Sequence, residues 1–299
     1  MYYLLYALFY LISLIPFWLM YGISDFLVML VFYVFGYRKK VVLQNLKIAF
    51  PEKTDAERNA IAKKFYRNFI DTFLESIKMI SMSDATFKKR VTIDYASSHD
   101  LVAKGKSIQY HSGHQMNWEF ANWIVSKHTE IPFVGVYQAV KSKPFNRLML
   151  KIRGRYGTKL VSTREFKNRM HDILKNQYCI GLAADQNVWP GNGNWLYFFS
   201  KPAPFVPGPE KGAVRNNTAV VFVAFEKPKR GYYHFSTKVI VENGADTAPG
   251  ELTRIYRDML EATIRETPDN YLWSHRRWRH DYLPEYKEKW IDNRPNPLD

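Results

Sequence analysis

The sequence predicts an α/β fold behind an apolar N-terminal anchor, and three observations carry that reading. From Ser107 onward, short apolar runs alternate with segments of helical apolar spacing, as β-α-β units do. With 299 residues, 46% hydrophobic and 16% aromatic, the chain can bury one sizeable core. Between Tyr2 and Tyr37 the only charged side chain is Asp25. The expected organisation is therefore an N-terminal membrane anchor over residues 1–37 and a single α/β domain over 38–299.

Composition narrows the function classes. A mean hydropathy of -0.34 excludes a polytopic membrane protein. Lys and Arg number 43 against 28 acidic residues, a net charge of +15, so the partners should be anionic: nucleic acid, anionic lipid headgroups or an acidic carrier protein. The single cysteine, Cys179, rules out a disulfide framework and reads as a small buried hydrophobe.

Tyr2 to Tyr21 is an apolar and aromatic run long enough to span a bilayer. It lacks a basic leader and a small-residue cleavage site, so a removable signal peptide is not expected. Pro16, Gly22 and Asp25 interrupt the stretch, which reads as one kinked membrane helix, or as a spanning helix followed by an interfacial one. Arg38-Lys39-Lys40 follow and place the remainder on the cytoplasmic side. Thr54 and Glu57 have capping-box spacing, opening a helix whose stripe is Ile61, Phe65, Phe69, Phe73 and Ile77.

The chemistry centres on His114-Gln115-Met116-Asn117-Trp118-Glu119. Residues 107–110 suit a short strand, Ser112-Gly113 break it, and helical spacing resumes at Trp118, so His114 belongs on a strand-to-helix turn. In open α/β sheets ligands bind beyond the carboxyl ends of the strands. Within one helix His114 and Glu119 would diverge by about 140°; they meet only if His114 precedes the helix. Glu119 in the first helical turn is favoured as a carboxylate. Beside an imidazole it would fix the tautomer and favour the imidazolium, giving a general base with its orienting partner. A substrate hydroxyl then removes the need for a Ser or Cys nucleophile.

Further along, Pro132 to Tyr137 reads as a strand, and Pro144 to Tyr156 as a helix stopped by Gly157. Lys159–Thr163, a helix from Glu165 to Lys175 and a strand over 178–184 make another β-α-β step ending in Asp185. An acidic residue there points into the same crevice as His114, or caps the loop as an Asx turn. Residues 189–195 form a Gly/Asn-rich loop with two tryptophans. Phe198 to Pro209, rich in proline, reads as an extended crossing; 210–216 as a short helix; 218–225 as a doubly buried strand; 233–242 as an edge strand; and 250–267 as an amphipathic helix. The cluster Pro268 to Arg279 would by itself be a basic-aromatic interfacial patch or a nucleic-acid stacking surface.

Taken in order, these residues resemble the late lipid A acyltransferases, within the glycerolipid acyltransferase superfamily and its His-x4-acidic motif. His114 and Glu119 fall on the two motif positions, Asn117-Trp118-Glu119 matches the family's wording, and the resemblance runs from Asn45–Glu52 to the Pro, Trp and His-Arg-Arg cluster of residues 268–279. It implies a mixed central sheet flanked by helices, of the glycerol-3-phosphate acyltransferase type. The implied activity is O-acyl transfer from acyl carrier protein to a lipid A precursor at the bacterial inner membrane, with no metal or other cofactor. It also places a required Arg near the end of the 144–156 helix, Arg153 with Arg155 adjacent, and makes Asp185 a further site residue. An Arg there suits phosphate binding or carbonyl polarisation.

Three other functions remain open on the residues alone. One is an acyltransferase using acyl-CoA or another lipid acceptor. The second is a metallohydrolase built on His111, His114 and Glu119, which supply at most three ligands. The third is a basic membrane-tethered nucleic-acid binder, disfavoured by the absence of a nucleic-acid motif.

Overall fold

The computed structural model describes the backbone of residues 1–299 and every side chain except that of Lys167. The chain opens with α1 (Tyr2–Leu14) and α2 (Phe17–Met29), parted at Pro16, which has no N–H to continue the first helix. A π-helical turn, Leu30–Val34, extends α2, and among the described residues Phe17–Val34 is the one helix long and apolar enough to cross a membrane by length and composition; the break at Pro16 leaves α1 too short. Both helices pack on the domain: Lys78 Nζ donates to the carbonyls of Ser13 and Ile15, the Arg147 guanidinium lies 4.3 Å from the Tyr2 ring, and Ser24 Oγ of α2 donates to Asp71 Oδ1 at 2.6 Å.

Helices α3 (Lys39–Ala49) and α4 (Asp55–Lys78) follow, the latter opened by the Thr54–Glu57 capping box that its sequence predicts. After α5 (Asp84–Arg90) come β1 (Val91–Ile93), α6 (Ala96–Ala103), β2 (Ile108–Ser112), α7 (Trp118–His128), β3 (Phe133–Tyr137), α8 (Lys143–Arg153), β4 (Lys159–Ser162), α9 (Phe166–Ile173) and β5 (Cys179–Ala183). Then β6 (Asn194–Phe198), β7 (Lys201–Phe205), α10 (Gly208–Asn216), β8 (Ala219–Lys229), β9 (Tyr232–Val241) and α11 (Glu251–Glu266) complete the regular elements.

Seven strands form one mixed sheet in the order β1-β9-β8-β2-β5-β3-β4, and only β8–β9 pair antiparallel. This is the α/β architecture with a mixed central sheet flanked by helices that the sequence implies. One buried cluster lies under α7 and α8 and contains Phe120, Trp123, Phe133 and Cys179; another joins α3, α4, α11 and the β6–β7 hairpin through Phe50, Phe65, Phe198 and Trp273.

Three local expectations change. Strand β9 is interior, because β1 pairs along its outer side; three residues are too few to show alternation. Residues 198–209 contain a hairpin turn instead of a plain crossing, with Phe199 at φ 57; Pro202 and Pro204 are tolerated because β7 belongs to a two-stranded ribbon. Helix α8 ends at Arg153, capped at Gly154, before the Gly157 stop.

Candidate active site

The register of two neighbouring strands builds the centre of the site. β2 and β5 are parallel and pair Ser112 with Ala183 at their carboxyl ends. His114 and Asp185 each lie two residues past that pair, so the chain delivers them to the same crevice from opposite sides. His114 Nδ1 is 2.6 Å from Asp185 Oδ1, and the His114 backbone N–H donates to Asp185 Oδ2 at 3.0 Å. One carboxylate thus fixes both ring and backbone. Tyr256 of α11 laces the strand ends, donating to Ser112 O (2.9 Å) and accepting from the Ala184 N–H (3.2 Å).

Electrostatics follow from this geometry. Burial by itself would lower the His114 pKa, but the charge and hydrogen bond of Asp185 outweigh it and leave the imidazole raised above 6.5. Burial alone would raise Asp185; the charge and hydrogen bonds of His114 hold it down at about 2. Asp185 is sealed, its side chain 2% exposed, whereas that of His114 is 25% exposed. With Nδ1 engaged by Asp185, Nε2 is the nitrogen left for a substrate.

Glu119 has a different partner from the one the spacing suggests. Asn117 caps α7, its Oδ1 accepting from the N–H groups of Glu119 (3.0 Å) and Phe120 (3.3 Å), so Glu119 sits in the first helical turn. That turn faces the end of α8, where Arg153 Nε donates to Glu119 Oε2 at 2.8 Å and Nη2 to Oε1. Trp118 Nε1 also donates to Oε1. Asp185, rather than Glu119, therefore stands on the imidazole, and Glu119 aims a guanidinium. Glu119 is buried, so Arg153→Ala would strand its carboxylate; the expected cost is about 3 kcal/mol, read by denaturant unfolding, together with reduced activity.

Arg155 points elsewhere: Nη1 donates to Met79 O (3.1 Å) and its guanidinium lies over Trp123. His111 is also apart from this group. Its Nε2 accepts from the Gln109 side-chain amide N–H at 3.0 Å, its ring meets Tyr256 edge-on, and burial lowers its pKa to about 4, which keeps it neutral. Among the described residues, no three His, Cys, Asp or Glu side chains gather as a metal-binding group.

Two clefts meet at His114. One, of about 360 Å³, runs under α7 between Tyr110, Val125, Phe133 and Phe225 and is also lined by Glu119 and Arg153. Gly135, Gly181 and Tyr110 lie side by side in its floor, by the register of β3, β5 and β2. The other, of about 1210 Å³, opens between α9 and α10; it is apolar at Met170, Leu174 and Ile180 and basic at Lys175, Lys211 and Arg215.

The C-terminal cluster is largely core, and only Arg276 and Arg279 of its residues after Trp273 are exposed. Tyr271, Trp273 and Arg277 are buried, and Asn45 Nδ2 donates to the carbonyls of Trp273 (2.8 Å) and His275 (2.7 Å). Leu272 N–H donates to His114 O at 3.1 Å, so this segment backs the His114 turn. Sequence reasoning passes over Tyr256 and the capping role of Asn117. The first leaves no local signal; the second has one, an Asn directly before a helical run.

A buried Asp holding one imidazole nitrogen, with the other turned to an apolar cleft at the carboxyl ends of parallel strands, suits general-base catalysis on substrates with a long apolar part. The family model for bacterial lipid A biosynthesis acyltransferase matches residues 1–280, and the chain belongs to that family. It is accordingly an acyltransferase with a lipid A-type acceptor. No curated protein matches the chain.

Proposed function

We propose that this protein moves a fatty acyl chain from acyl carrier protein to a hydroxyl of a lipid A precursor, with His114 as general base. The observation that carries this reading is the His114–Asp185 pair, whose free nitrogen stands where the two clefts join. His114 Nε2 takes the hydroxyl proton, and the alkoxide attacks the thioester carbonyl to form a tetrahedral intermediate. The intermediate collapses to the ester as the C–S bond breaks, and the imidazolium returns its proton to the thiolate. Asp185 stabilises that imidazolium. Glu119 holds Arg153 against the cleft, where its guanidinium serves the developing oxyanion or an acceptor phosphate. Arg155 contributes by packing the end of α8 rather than by contact with substrate.

The smaller cleft suits the acyl chain. A Cβ on Gly181 would come 3.1 Å from Phe133 Cζ, so Gly181→Val should fill the floor and shift the preferred donor to shorter chains. Competition between acyl-carrier-protein thioesters of different length, read by mass spectrometry, measures this; an unchanged length preference would show that the acyl chain lies elsewhere.

Residues 1–37 act in this reading as the membrane anchor. α1 and α2 turn Tyr3, Leu4, Trp18 and Phe26 outward, and anionic lipid attracts the basic domain beside them, which works on the cytoplasmic face. No nucleic-acid partner is invoked. Purified protein given acyl carrier protein thioester and a lipid A precursor should produce the acylated lipid and free thiol in equal amounts. Thiol release with no acylated product would contradict transfer, and equal rates with acyl-CoA would overturn the assignment of donor.

A further inference from the structure

Glu75 of α4 is fully buried and takes no part in the chemistry above. Among the described residues no Lys, Arg or His lies within ion-pair distance of it, unlike Asp71 one turn earlier, which is held by Arg230 at 2.7 Å. Instead its two oxygens collect three hydrogen bonds from distant parts of the chain. Tyr21 of α2 donates to Oε1 (2.9 Å); Tyr233 of β9 (2.7 Å) and Asn117 Nδ2 (3.0 Å) donate to Oε2. Asn117 is thereby used in two directions, its Oδ1 on the first amides of α7 and its Nδ2 on Glu75. An acceptor at Nδ2 decides which way the amide faces. Turned over, the same side chain would present N–H to N–H at the start of α7, losing the cap that sets Glu119 against Arg153.

We infer that Glu75 is a positioning residue for acyl transfer: it locks the orientation of the Asn117 amide and so the Glu119–Arg153 pair, and Tyr21 ties that lock to the docking of α2. The inference rests on the acyltransferase reading of the site.

Reversing the polarity of the Glu75–Asn117 contact tests it. Asn117→Asp sets two carboxylates together, and Glu75→Leu removes the acceptor from Asn117 Nδ2. Glu75→Gln by itself keeps a carbonyl oxygen that can accept from Asn117 and Tyr233 while its amide N–H donates to the Tyr21 hydroxyl, so it should cost little. In the double variant Glu75→Gln/Asn117→Asp the amide introduced at position 75 can donate to the carboxylate introduced at position 117, which still caps α7. Misplacing catalytic groups by an ångström costs up to about a hundredfold, so Asn117→Asp and Glu75→Leu should each lower kcat by about ten- to a hundredfold with a much smaller change in KM. Both should also speed hydrogen exchange at the Glu119 and Phe120 amides, and the double variant should recover most of what Asn117→Asp loses. A double variant no better than Asn117→Asp overturns the inference. So does a Glu75→Leu protein with a lower melting temperature but unchanged kcat, the outcome for a purely structural residue. His114→Ala in the same assay separates the two levels: if it transfers normally, the acyltransferase mechanism fails; if it is inactive while folded Glu75→Leu is fully active, only the positioning role fails.

Discussion

His114→Ala lowers acyl transfer by about two to four orders of magnitude, the range for loss of a general base, with the protein still folded. The fold survives because the ring is partly exposed and lies on a turn whose backbone is held independently. Its N–H donates to Asp185, and its carbonyl accepts from Leu272. Circular dichroism and single-turnover kinetics with excess enzyme check both halves. Normal turnover in a folded His114→Ala protein would remove the mechanism.

Asp185→Asn is expected to cost a comparable factor, about 10²–10⁴ in kcat, because the amide cannot stabilise the imidazolium and can hold the wrong tautomer. Its pH signature is distinctive. In the native protein the raised His114 pKa means that the base becomes free only above pH 6.5, so kcat/KM should climb with pH through a midpoint higher than that. Without the Asp185 charge, burial alone governs the ring and moves the midpoint below 6.5. Stability runs the other way. The contribution of a raised His pKa is complete below 6.5 and fades as pH rises through the folded value. That of Asp185, lowered from 3.8 to about 2, is present above 3.8 and lost as pH falls through 2. The pair therefore stabilises the fold most in mildly acidic solution, while catalysis requires it to be neutral on the His side. A pH–rate profile for Asp185→Asn superimposable on the native one would show that this carboxylate does not tune the base.

Local pattern and long-range pairing divide what the sequence discloses. The β-α-β alternation, the capping box at Thr54 and the strand-end positions of His114 and Asp185 all follow from residues close in sequence, and the α/β class follows with them. The partnership of those two residues depends on β5 lying beside β2, which no local spacing encodes. The His-x4-Glu spacing draws attention to Glu119 as the partner, whereas the Asn117 cap swings that side chain toward α8 and Arg153. Arg155, two residues further on, belongs to the packing around Trp123. The cluster at 268–279 shows the same limit: aromatic and basic residues look alike at a surface and in a core, and only long-range contacts, such as those of Asn45 and His114 with its backbone, set Trp273 and Arg277 inside while Arg276 and Arg279 stay exposed. Glu75 is the extreme case. Nothing in the local sequence marks it, yet three side chains from distant parts of the chain converge on it.

Acyl transfer to a lipid A precursor with His114 as base is tested most directly by mass spectrometry of membrane lipids from host cells with the gene, without it, and with the His114→Ala form in its place. A lipid A species should lose one acyl chain in both the deletion and the His114→Ala cells. An unchanged lipid profile in the deletion, or full acylation in the His114→Ala cells, would contradict this function and this base.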